Sequence, residues 1–145
     1  MWQHDELQHA TRLTQSQSGA ILEYLEETYD KEHKFTETSS PQKWQLKQWL
    51  HFQVSGQGPY FGQRVWFMRY HPEQVKSAQD RYAAEIKRVI SVIDKHLKAT
   101  GSQYLIGDKY TYADLAFLRM FYLQALDDKI VLTMSSMELA HSFRL

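Results

Sequence analysis

Between Pro72 and Gly101 the apolar residues recur at one spacing. Ala78, Tyr82, Ile86, Val89, Ile93 and Leu97 fall every three or four positions, and Ile90 widens their stripe. That period belongs to one face of an α-helix. It predicts a helix from Glu73 to Lys98, the clearest in the chain. Thr100 and Gly101 close it, since glycine readily takes the left-handed conformation common at helix ends. Lys95 and Lys98 stand near the negative end of its dipole. A helix this long with one apolar face has to bury that face against other elements, so a packed fold follows.

The rest of the sequence supplies those elements. In Gln17–Tyr29, Ala20, Ile21, Tyr24, Leu25 and Thr28 lie on one helical stripe, and Glu23, Glu26 and Glu27 face away. The polar stretch from Asp30 to Ser40 reads as a linker. Pro41 suits the first turn of a second helix, with Ser39 or Ser40 as its N-cap. That helix carries Trp44, Leu46, Trp49, Leu50 and Phe52. Gly56, Gly58 and Pro59 interrupt it, an aromatic stretch runs from Tyr60 to Tyr70, and Pro72 breaks the chain again. The last strong helix begins at Thr111. Thr111 and Asp114 have the spacing of a capping box, and Tyr110 with Leu115 the spacing of a hydrophobic staple. After Asp127 and Asp128 the pattern weakens, Ile130–Met134 is a short β-branched run, and the tail from about 133 is irregular. No stretch alternates regularly and no segment repeats. The expected fold is therefore an all-α bundle.

Composition narrows the function. Seventeen basic and seventeen acidic residues cancel, which argues against a dedicated nucleic-acid surface. There is no cysteine, so disulfides, thiolate metal sites and a catalytic thiol are excluded. Met1–Gln15 is polar and mixed in charge, unlike a secretory leader. No apolar run reaches the roughly 18–20 residues of a membrane span. Cytoplasm is the compartment these features predict. The seven histidines include no i, i+4 pair beside an acid, so no zinc site is expected and surface or linker roles are. Arg81, Glu85, Lys87 and Arg88 form a charged helix face of the ordinary solvated kind. Neither a Gly-x-Ser-x-Gly elbow nor a phosphate loop is present.

Three stretches resemble the cytosolic glutathione transferases. Gln17–Leu25 is similar to the Glu/Gln-Ser-x-Ala-Ile segment that ends the family's thioredoxin-like domain. Trp49–Gln63 resembles the fungal and bacterial class related to the yeast nitrogen-regulator prion protein. Tyr104–Phe117, with Leu105-Ile106-Gly107-Asp108 ahead of Thr111-Tyr112-Ala113-Asp114, resembles the family's folding motif. The resemblance covers about 17–128. It implies a remnant of the thioredoxin-like domain and linker over 1–38, no more than that domain's last helix. The C-terminal helical domain would then occupy 39–145. It also implies that the segment bearing the catalytic Ser, Tyr or Cys lies outside this chain, so no catalytic residue is identified and the chain reads as truncated.

The same resemblance implies an activity: conjugation of glutathione, a substrate and not a cofactor, to a hydrophobic electrophile. In fungi such enzymes serve detoxification or secondary metabolism. Gln17 and Ser18 would hold glutathione's γ-glutamyl end, a role that helix-terminal N–H groups suit. Read locally, Ser18 or Ser16 is simply an N-cap. Trp49, Gln53, Gln57 and Tyr60 would face the co-substrate. Read locally, this stretch is a helix interruption with core aromatics. Thr111 and Asp114 are structural caps. The competing expectation is a non-catalytic module that forms a homodimer or pairs with a full-length relative.

Overall fold

The computed structural model describes residues 17–125. The expectations for Met1–Gln15, Ser16, Asp127–Asp128, Ile130–Met134 and the tail lie outside that range, as do His4, His9 and His141. Within it the elements are α1 (Ser18–Tyr29), α2 (Ser40–Phe52), α3 (Gly58–Val65), α4 (Lys76–Thr100) and α5 (Tyr112–Ala125). No strand occurs among the described residues, as the all-α reading requires.

The stripe on α4 supplies much of the core. Ile86, Val89, Ile90 and Ile93 are buried. They meet Leu46 and Leu50 of α2, Phe61 of α3 and Ala113 and Phe117 of α5 in one cluster, with Leu105 and Ile106 from the loop ahead of α5. Gly101 ends α4 at φ 67°, and its N–H reaches the Leu97 carbonyl. That is the left-handed terminus its sequence suggested.

One expectation needs correction. Gly56, Gly58 and Pro59 do not interrupt the second helix. The chain widens into a π-turn over Gln53–Gln57 and continues as α3. The Gly58 N–H bonds the Gln53 carbonyl five residues back. Proline has no N–H and would leave a gap in an α-ladder. Here Pro59 sits in the first turn of a restarted helix, where that donor is not needed. A second π-turn over Trp66–Tyr70 ends the rod, with the His71 N–H on the Trp66 carbonyl at 2.9 Å.

The 30–40 segment is not a loose linker either. The Asp30 carboxylate accepts the N–H groups of Lys34 and Phe35 at 2.8 and 2.7 Å. The Phe35 carbonyl accepts the Tyr112 N–H at 2.8 Å, and Lys109 donates to the His33 carbonyl. The segment is thereby tied to the start of α5.

That start is built on Asp114, which is 1% exposed. Its carboxylate accepts the Thr111 N–H and hydroxyl, both at 2.7 Å, and the Leu105 N–H at 2.9 Å. The capping box is present. Of the expected staple, Tyr110 and Leu115 are both exposed, and the rings that Tyr110 meets are Phe35 and Tyr104. Asp114→Ala strands two buried N–H groups and should cost about 3 kcal/mol of unfolding free energy. Urea denaturation measures this, with Asp114→Asn falling between the variant and the parent.

Candidate functional site

Gln17 caps α1 with extended backbone, φ −102° and ψ 126°, and its side chain bonds no N–H of the first turn. The first helical bond runs from the Ile21 N–H to the Gln17 carbonyl at 2.9 Å. The N–H groups ahead of it have no helical acceptor, and no acidic residue stands in the first turn. Gln17 and Ser18 are both exposed at this end. Ser18 is the first helical residue, so it is not the N-cap that local sequence allowed. Gly19 fixes the position of this terminus. It is buried, and a Cβ there would stand 3.1 Å from the Val54 Cγ2. A side chain there would ask Val54 to shift by a few tenths of an ångström for α1 to lie so close to the π-turn.

The other expected site residues are placed differently. Gln57 is fully buried, and its amide donates to the Phe117 carbonyl at 3.3 Å. The Gln53 amide, also buried, donates to the Gln57 side-chain oxygen at 3.2 Å. These two side chains bridge the π-turn to α5. The physical reason is satisfaction: an amide enclosed among apolar side chains needs an internal partner, and here it finds one. Trp49 is half-buried, with its ring against His96, Phe52 and Phe117 at centroid distances of 4.7, 5.9 and 6.1 Å. Tyr60 is half-buried beside Tyr82. His96 likewise departs from the surface role expected of it. It is partly buried, and its Nε2 lies 2.8 Å from the Leu105 carbonyl.

Sequence reasoning missed a second feature altogether. Glu23, Glu26 and Glu27 do not simply face solvent. With Asp30, Thr36 and Tyr112 they line a cleft of about 320 Å³ between α1, the 30–40 segment and the start of α2. Lys47 of α2 pairs with Glu23 at 2.5 Å. Burial, and then the charges of Glu23, Glu26 and Glu27, push the Tyr112 phenol well above its ordinary range, so it stays protonated. An adjoining, more apolar groove of about 460 Å³ includes Leu22, Leu25, Tyr29, Phe35 and Leu115. A signal existed: four acids at i, i+3, i+4 and i+7 share a helix side, which places them together but does not say what they face. Among the described residues no group of three acids or histidines could hold a metal ion, and no helix is long and apolar enough to cross a membrane.

The comparisons with known proteins decide the family. Residues 61–140 match the model of the glutathione S-transferase C-terminal domain. The chain belongs to the glutathione S-transferase family. Its glutathione S-transferase relatives include the glutathione S-transferase-like protein OpS6 of Beauveria bassiana, 48% identical over 70% of this chain and 47% of that protein. Glutathione S-transferase 2 of Schizosaccharomyces pombe is 45% identical over 73% of this chain and 46% of its own length. The chain thus spans about half the length of the curated relatives it matches. Among solved structures, the glutathione transferase URE2P6 of Phanerochaete chrysosporium in complex with oxidized glutathione superposes with a TM-score of 0.79. It is 38% identical, over 90% of this chain and 60% of that one. A glutathione transferase homolog from Lodderomyces elongisporus with two GSH per subunit gives 0.78 at 37% identity, over 90% and 61%. These relatives bear out both the family resemblance and the narrower one to the prion-related class.

Asp30 makes the ordered segment pH-dependent. Desolvation acts to raise its carboxyl. The Phe35 and Lys34 N–H groups, with His33 and Lys109, outweigh it and hold the carboxyl below its ordinary 3.8. A lowered folded value means the contribution is complete above the ordinary value and lost as pH falls through the lower one. Asp30→Asn should therefore be less stable than the parent at pH 7, with the gap closing below pH 3.8. Thermal denaturation of both across that range reads the difference.

Proposed function

We propose that this chain serves a glutathione transferase that joins glutathione to a hydrophobic electrophile, with residues 39–145 as the helical half and 1–38 as the end of the preceding domain. The observation that carries the reading is the N-terminus of α1, whose first N–H groups and Ser18 hydroxyl find no partner among the described residues, beside an exposed Gln17. A carboxylate such as the γ-glutamyl end of glutathione meets two attractions there, the unpaired donors and the positive dipole end. Gln17 adds a neutral hydrogen-bonding group where a glutamate would add charge for the glutathione amine. Trp49 and Tyr60 remain as wall residues for the electrophile, and the polar contacts once assigned to Gln53 and Gln57 fall to other groups.

The thiolate has to be stabilised by groups this chain does not carry among its described residues. Turnover therefore belongs to a protein in which a thioredoxin-like half completes the site. Work in a fungal secondary-metabolite or detoxification route, a cytoplasmic setting, and a dimer of like subunits all follow from the same reading.

Calorimetry of the 145-residue chain with glutathione tests the anchor. Weak binding is expected, lowered about tenfold by Ser18→Ala if one hydrogen bond to a charged group is lost. A chain that binds no glutathione at millimolar concentration would overturn this anchor and favour the non-catalytic assembly module instead.

A further inference from the structure

We propose that the cleft between α1, the 30–40 segment and α2 binds an aliphatic polyamine. Its lining is negative, with the carboxylates of Glu23, Glu26, Glu27, Asp30 and Glu37 against the ammonium groups of Lys31, Lys43 and Lys47. Three of the acids already have partners. Glu23 holds Lys47, Glu37 lies 3.7 Å from the Lys109 ammonium, and Asp30 holds two backbone N–H groups. Lys31 donates to the Glu27 carbonyl, not to a carboxylate. Among the described residues no cation pairs with Glu26 or Glu27.

The floor of the cleft points to a ligand independently of those charges. Thr36 and Tyr112 line it, and each is only 6% exposed. Among the described residues neither hydroxyl meets a protein hydrogen-bond partner. Two such hydroxyls on residues that line one cavity can take donors from a ligand. The Tyr112 phenol stays protonated beside the acids, so it can take an N–H on its oxygen while giving its own proton to a carboxylate.

The spacing selects the kind of cation. No three carboxylates come close enough to share a metal ion. Side chains three and four apart on a helix repeat at about 5–6 Å, so Glu23, Glu26 and Glu27 span about one turn of α1 and Asp30, its C-cap, continues the row by most of another. A row of separated charges suits a cation whose charges are themselves separated along a flexible apolar chain. Primary ammonium groups, with three donors each, match carboxylates and hydroxyls alike. This inference needs no glutathione and does not depend on conjugation.

Titration of the full chain with spermidine at physiological salt, followed by calorimetry and by amide shifts, tests it. One molecule should bind, with shifts centred on α1 and residues 30–40. Glu26→Gln together with Glu27→Gln should weaken binding about tenfold, the loss expected for a charge-assisted contact. Tyr112→Phe and Thr36→Val, which leave the charges in place, should each weaken it severalfold. Circular dichroism confirms that each variant is folded, and Glu73→Gln, on an exposed turn, should leave affinity unchanged. Equal affinity in the double variant and the parent would overturn the proposal. So would magnesium ions displacing spermidine as well as a diamine does, or no binding at millimolar spermidine.

Discussion

At the head of α5 one buried carboxylate accepts three hydrogen bonds from two places in the chain. Two come from Thr111 and one from Leu105, nine residues before Asp114. The bond to Leu105 matters most for architecture. It draws the loop after α4 inward, so that Leu105 and Ile106 join the core. The backbone at Tyr112 then takes up Phe35, which fixes the segment between α1 and α2. Two connections that could each wander are thus referred to a single helix terminus. A buried charge is tolerated because every bond it accepts is short and internal.

Much of this arrangement was legible in the sequence, for a definite reason. The stripe on α4 has to face the core, and Ile86, Val89, Ile90 and Ile93 do. The Thr111–Asp114 spacing declares a cap, because only i and i+3 bring those groups together at a helix start. Local rules failed where a local signal has two solutions. Gly56, Gly58 and Pro59 can end a helix or be absorbed by a wider turn, and the choice depends on what packs beside them. His33 and Phe35 read as linker because the partners of their carbonyls, Lys109 and Tyr112, lie far along the chain.

The candidate site divides in the same way. Gln17 and Ser18 were found because a helix terminus is visible as an interruption of pattern. The directions of Gln53 and Gln57 were not, since one glutamine looks like another until its partner is known. The Phe117 carbonyl that Gln57 reaches is sixty residues away. The acidic cleft went unseen for a related reason. Glutamates on the polar side of a helix default to solvent, and nothing nearby in sequence announces that Thr36 and Tyr112 come to face them.

The π-turns in the 40–70 rod carry a further consequence. Each holds one residue more than an α-turn, which advances the phase of all that follows by about 100°. A helical wheel drawn through the whole segment therefore misplaces the residues of α3 relative to those of α2 by about that angle. The width of the turn is the quantity that sets where α3 faces. Replacing exposed Ser55, whose hydroxyl only reaches the His51 carbonyl, leaves the phase untouched. Removing one residue from 53–57 would let an uninterrupted α-ladder form with Phe61 close to its present phase, whereas forcing an α-ladder on the full segment would rotate Phe61 out of its place. Variation in this rod is thus free in identity at such positions and constrained where it would change the width of the turn.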